Sequence, residues 1–360
     1  MISARVAVIA AIVALLGLTG PAFAQDDGAP PPPGAAQAEP PPGAGGPLSG
    51  LDLQNMAPAD LLSVGLVASA PFVLIILWLG DVIRPGSFKR KGKRDVSGFP
   101  VLIWLFGMFV VFSAQAFGLK VGEALPGLLG SADQAGLPVE ALADNPLRDQ
   151  AIAQVTAFFF ALIAGGVMMY LLGAKSDKDG LQIKASDLPI GLAAIVLSVP
   201  VLAVASHGAA WAYERYTGNP PDPIAHESLR TIVDNQHDPA AWAIMLTVVL
   251  GAPIIEELMF RGFLQSAMLR LFGSAWTAIF VTSGVFVWLH YLAADASGQT
   301  MVPLQALPTL FVLSVAMGVA FERTKRIGVP IAMHIGFNAF NTALALMLVD
   351  PAAAPAPGAP

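Results

Sequence analysis

The chain has 360 residues, of which 55% are hydrophobic and only 12% charged, about half the charged fraction of an ordinary soluble domain. That is too little polar surface to cover a soluble fold of this length. A net charge of −6, from 19 Lys+Arg against 25 Asp+Glu, argues against a nucleic-acid partner, and the absence of cysteine excludes disulfides, thiolate zinc sites and cysteine nucleophiles together. What remains is an all-α, polytopic membrane helix bundle.

Residues 1–24 have the form of a secretory signal peptide: Arg5 in a basic n-region, an apolar run from Val6 to Leu18, and Ala22-Phe23-Ala24 as an A-x-A cleavage site. An uncleaved signal anchor is the alternative, and both leave the next segment outside the cytoplasm. Residues 25–50 are dense in Pro, Gly and Ala and read as an extracytoplasmic linker, and 350–360 as a tail of the same kind.

Between them lie apolar runs near 60–80, 99–119, 151–173, 188–212, 242–265, 276–294, 302–321 and 329–349, each close to the roughly 20 residues that cross a bilayer. With residue 50 outside, the segments 81–98, 174–187, 266–275 and 322–328 become cytoplasmic, and these hold 6, 3, 1 and 3 of the Lys and Arg residues. The opposite side holds only Lys120, Arg148, Arg215 and Arg230, so the positive-inside bias is satisfied. The expected location is therefore the cytoplasmic (inner) cell membrane, with both mature termini outside the cytoplasm. No internal repeat is visible, which disfavours an inverted-repeat transporter.

Ionisable groups within the spans are costly and point to function. The first four spans contain almost none; His207 lies near the outer end of the fourth and reads as interfacial. In the outer loop, His226-Glu227-Ser228-Leu229-Arg230 starts like a zincin helix but has Arg where the second His ligand would stand. The fifth span reads Gly251-Ala252-Pro253-Ile254-Ile255-Glu256-Glu257-Leu258-Met259-Phe260-Arg261. At about 100° per residue, Arg261 lies about 40° from Glu257 and about 140° from Glu256. Arg261 can thus pair with Glu257 at i,i+4, acid before base, leaving Glu256 unpaired along its own helix and suited to act as a general base. Pro253 offers no N–H to the Val249 carbonyl, so a kink is expected just before the two acids.

The sixth span places Phe286 and His290 four residues apart on one face. The eighth places His334 and Asn338 four apart, with Asn341 continuing the polar seam. Hydrogen bonding between membrane helices is the structural alternative for the two asparagines.

In order, E-E-x-x-x-R at 256–261, F-x-x-x-H at 286–290 and H-x-x-x-N at 334–338 resemble the CPBP family, which groups CAAX prenyl endopeptidases with bacteriocin-processing and immunity proteins (the ABI domain). The resemblance covers residues 240–349, following the first four transmembrane helices and their loops in 51–239. It implies a CAAX prenyl protease-like intramembrane endopeptidase: Glu256 and His290 activating water, His334 and Asn338 stabilising the oxyanion, and Glu257, Arg261 and Phe286 as structural support. Two mechanisms stay open. One is metal-free and glutamate-based; the other uses Glu256, His290 and His334 as a zinc set with a coordination position left for water. The expected partners are the lipid bilayer and a peptide or membrane-protein substrate. The alternatives are a non-proteolytic scaffold or immunity protein of the same family and a proton-coupled transporter.

Counted at ~1.5 Å per residue from the cytoplasmic ends, His334 lies about 10 Å deep and His290 about 20 Å. The groups converge only if helices tilt or the eighth span starts deeper. A water-filled chamber reached from the cytoplasmic side is expected.

Overall fold

The computed structural model describes residues 58–133, 145–173, 179–221, 227–293 and 302–348. The segments read from sequence as signal peptide, linker and C-terminal tail, and His226, lie outside the described residues. All regular structure among the described residues is helical. In chain order the helices are α1 (Pro58–Leu79), α2 (Ser87–Lys91), α3 (Val101–Asp133), α4 (Pro146–Leu171) and α5 (Asp187–Thr217). They continue with α6 (Glu227–Asp234), α7 (Pro239–Phe272), α8 (Ala275–Leu292), α9 (Leu307–Thr324) and α10 (Gly328–Leu348). Eight helices are long and apolar enough to cross a membrane, and they fall where the hydropathy of the sequence puts its eight spans.

Local chemistry sets the helix ends. Asn145 accepts from the Arg148 amide, with Pro146 in the first turn of α4, and Asp238 accepts from the Ala240 amide ahead of Pro239 at the start of α7. Between α7 and α8 the turn needs two residues. Gly273 takes φ +71 and returns its amide to the Leu269 carbonyl, and Ser274 then caps α8 through the Thr277 amide.

In hydrocarbon, burying Leu against Leu gains little over Leu against lipid, so close backbone approach decides which helices associate. Gly118 and Gly122 bring α3 against α4: a Cβ on Gly122 would stand 2.5 Å from the Ala153 Cα. Gly191 does the same for α5 and α10, where a Cβ would lie 2.5 Å from the Ala332 Cβ and 2.6 Å from the Val329 carbonyl oxygen.

α7 runs through the centre, with α3 and α4 on one side and α8, α9 and α10 on the other. The main core joins Trp104 and Met108 of α3 to Phe263 and Met268 of α7 and Phe286 of α8. A second cluster, including Ile195, Leu313, Met317 and Met333, holds α5, α9 and α10 together. α1 is peripheral, with 6% of its span buried, and packs chiefly on α5.

The end of the bundle that carries the basic loops is cross-linked by polar groups. Arg94, counted from sequence as a loop cation, is buried: its guanidinium pairs with Glu322 at 2.8 Å and donates to the Asp179 carbonyl at 2.7 Å and Ser266 Oγ at 2.9 Å. Gln265 Nε2 donates to the same carboxylate at 3.0 Å. The 325–327 turn is tucked in, with the Ile327 amide donating to the Gly180 carbonyl at 2.8 Å and Ile327 and Val329 fully buried. α10 therefore starts inside the bundle.

Candidate active site

α7 is not a uniform α-helix. Two wider π-helical turns, Thr247–Gly251 and Leu258–Gln265, flank the regular segment Ala252–Glu257; such turns recur at functional sites. In the first, the Ala252 amide reaches back five residues to the Thr247 carbonyl. The next carbonyl in that register, Val248, would take its bond from residue 253, which is proline. Asn338 Nδ2 of α10 donates to it instead, at 2.8 Å. The sequence argument left the Val249 carbonyl without its partner; the wider turn moves the vacancy back by one residue, and Asn338 fills it.

Around the acids the contacts are close. Arg261 Nε lies 3.2 Å from Glu257 Oε2, both side chains fully buried. Arg261 also donates to the carbonyl and hydroxyl oxygens of Ser314 on α9 at 3.2 and 3.0 Å, and its guanidinium carbon stands 5.3 Å from the Phe286 ring centroid. The other oxygen of Glu257 meets His334 Nδ1 at 3.0 Å.

Glu256 points elsewhere, as 100° of helical rotation requires. Its Oε2 is 3.9 Å from Nε2 of both His290 and His334. That oxygen is buried and has no hydrogen-bond partner. Phe286 touches both imidazoles, at ring-centroid distances of 4.3 Å to His290 and 6.2 Å to His334. Glu256, Glu257, Arg261, Phe286, His290 and His334 thus meet in one place. Asn338 anchors the same helix to α7, Asn341 bonds the Phe337 carbonyl of its own helix, and His207 bonds Ser63 and the Ala203 carbonyl.

The partners define the histidine tautomers. His290 Nδ1 is 2.8 Å from the Phe286 carbonyl oxygen, which can only accept, so Nδ1 carries the proton. His334 Nδ1 faces the arginine-paired carboxylate of Glu257 and carries its proton likewise. Each ring therefore turns its Nε2 toward Glu256. At 3.9 Å from each nitrogen, Glu256 Oε2 is too far for a direct hydrogen bond to either ring.

Ser314 was invisible to sequence reasoning, as were the partners of Arg94. Each is a common residue type with no motif spacing, and its role exists only through a neighbour on another helix.

Residues 238–340 match the family model described as type II CAAX prenyl endopeptidase Rce1-like. UPF0177 protein YbdJ of Lactococcus lactis subsp. lactis (strain IL1403) is 34% identical over 107 residues, covering 30% of this chain and 41% of that protein. The chain thus spans less than half the length of this curated relative. No solved structure matches. The segment that matches the Rce1-like model contains all three motifs and every residue that meets around Glu256.

Proposed function

We propose that the protein is an intramembrane endopeptidase in which Glu256 is the general base. The carrying observation is the buried, unpartnered Glu256 Oε2 held 3.9 Å from two imidazole nitrogens. Groups 3.9 Å apart are too far for a direct hydrogen bond, yet a single water can reach both at about 2.8 Å.

Such a water donates one hydrogen to Glu256 and the other to His290 Nε2, which aims a lone pair at the scissile carbonyl carbon. On attack, Glu256 takes the first proton, the C–O bond forms and the carbonyl becomes an oxyanion. Asn338 spends one amide hydrogen on Val248 and keeps the second for that oxyanion. His334, held by Glu257 at Nδ1, stands beside the same oxyanion with its Nε2 and exchanges no proton in the step. Collapse breaks the C–N bond, and the proton on Glu256 passes to the leaving amine.

The zinc alternative meets a geometric obstacle. Tetrahedral zinc with bonds of about 2.0–2.1 Å holds its donors about 3.3–3.4 Å apart, whereas Glu256 Oε2 stands 3.9 Å from each nitrogen. The three side chains as they stand do not fit the metal.

The test is peptide hydrolysis by the purified protein in proteoliposomes. Glu256→Gln is expected to lower the rate by about 10²–10⁴-fold while the unfolding midpoint stays unchanged. Retained activity in that variant rejects the mechanism, and an unaltered cellular effect of the same variant favours the scaffold reading.

A further inference from the structure

Charge in this chain is sorted by end. The segments 81–98, 174–187, 266–275 and 322–328 together hold 13 Lys and Arg against 6 Asp and Glu, a surplus of seven positive charges in a chain whose net charge is −6. The rest of the chain therefore carries a net −13. Positive-inside topology asks for cations at one end of the bundle; it does not ask that they lack partners.

Some of these cations are answered. Arg94 is buried on Glu322, Arg326 pairs with Asp187 at 2.9 Å, Arg90 pairs with Asp81, and Arg323 donates to the Val82 carbonyl. The nearby acids are engaged too: Asp95 accepts from the Ser97 amide at 3.0 Å, and Asp179 from the Leu181 amide at 3.1 Å. Arg84, Lys89, Lys93 and Arg270, all exposed, and the half-buried Lys325 have no carboxylate at ion-pair distance.

Three of these five come from separate elements and gather at one junction. Lys93 Nζ donates to the Gly273 carbonyl at 2.6 Å, just past the end of α7, and Arg270 stands in the last turn of that helix. Lys325 ends α9 in the left-handed conformation, φ +56, and its Nζ lies 3.7 Å from where a Cβ on Gly92 would stand. The C-termini of α7 and α9 offset about half a charge each, which leaves the three cations under-compensated. On the same end, Arg84 lies 4.7 Å over the ring of Trp78, which is exposed at the end of α1. A tryptophan in that position marks the headgroup layer of a bilayer.

We propose that this junction binds the headgroup of an anionic phospholipid from the adjacent leaflet, with Lys93, Lys325 and Arg270 around its phosphate. Phosphate oxygens accept charge-assisted hydrogen bonds from all three side chains, and Arg84 and Lys89 add to the positive field. A zwitterionic lipid presents the same phosphate but adds an ammonium, which the surplus of cations repels. The bound headgroup ties residues 92–93 to the ends of α7 and α9, and a ligand held only by the folded state stabilises it.

The test is thermal unfolding of the purified full chain in neutral-detergent micelles as phosphatidylglycerol or phosphatidylcholine is added. Phosphatidylglycerol should raise the midpoint until it saturates, phosphatidylcholine should not, and added salt should shrink the rise. Lys325→Gln and Arg270→Gln should each raise the phosphatidylglycerol content needed for half the rise by about fivefold, the usual effect of one basic side chain at an anionic lipid surface. Each variant is read against its own lipid-free midpoint, so a change in basal stability does not enter. Lys120→Gln, which removes a cation paired with Glu123 at 2.7 Å in another part of the chain, should leave the half-point unaltered. The proposal is overturned if the two lipids act alike, or if Lys120→Gln weakens the phosphatidylglycerol effect as much as Lys325→Gln does. It is also overturned if millimolar inorganic phosphate reproduces the rise without lipid, since the junction would then take a free anion.

Discussion

Glu257 and His334 are joined at 3.0 Å through one carboxylate oxygen and Nδ1, while the other oxygen of Glu257 holds Arg261 at 3.2 Å. One buried carboxylate therefore links an arginine of its own helix to a histidine of α10, and Ser314 of α9 anchors the far side of the arginine. Glu257 is thus committed to His334 and Arg261, whereas Glu256 Oε2 has no hydrogen-bond partner.

Replacing Glu257 with Gln removes the charge facing a fully buried Arg261. The expected loss is about 3–5 kcal/mol, the usual cost of stripping one partner from a buried pair. Chemical unfolding in detergent should show this as a lowered midpoint, in contrast to the stable Glu256→Gln protein.

Asn338 serves two acceptors on the proposed reading, and its replacement separates them. Asn338→Ala should cost about 1–3 kcal/mol from the Val248 carbonyl left without a donor. It should also lower kcat by about 10²–10³-fold from the lost oxyanion donor. A change in stability with unaltered kcat would leave Asn338 as a brace between α10 and α7 only.

The Arg94–Glu322 pair is testable by a double-mutant cycle. Arg94→Met alone should destabilise by about 3–5 kcal/mol, because Glu322 is left buried with Gln265 as its remaining side-chain donor. Combining it with Glu322→Leu should restore most of that loss, since an apolar pair of similar size needs no desolvation. Equal destabilisation in the single and double variants would contradict the pairing.

Gly191→Ala places a methyl group 2.6 Å from the Val329 carbonyl oxygen, and backbone cannot rotate aside. The expected cost is about 1–3 kcal/mol of overpacking, with α10 displaced from α5 and His334 carried with it. Thermal unfolding and kcat should fall together. An unchanged kcat would show that His334 keeps its place when α10 shifts.

Removal of divalent metal distinguishes the two mechanisms first read from the motifs. With the donor spacing seen here, a strong chelator should leave peptide hydrolysis unchanged. A loss of activity that zinc restores would show that the three side chains draw together by about 0.5 Å around a metal.

Much of this protein was legible from its residues alone. Apolar run length located the eight spans, because a bilayer of fixed thickness needs helices of fixed length. The relation of Glu257 to Arg261 was also readable, because 100° per residue fixes neighbours within one helix whatever surrounds it. The motifs around Glu256, His290 and His334 located the region that matches the Rce1-like family.

Relations between helices were decided by tertiary structure. That Glu256 stands beside both imidazoles, that Asn338 answers the Val248 carbonyl and that Arg94 is buried against Glu322 all depend on the depth, rotation and closeness of separate helices. Glycine contacts and π-helical turns set those quantities, and an extra residue in a single turn is enough to change which carbonyl lacks a partner. Periodicity carries information along one axis; the chemistry needs side chains from several.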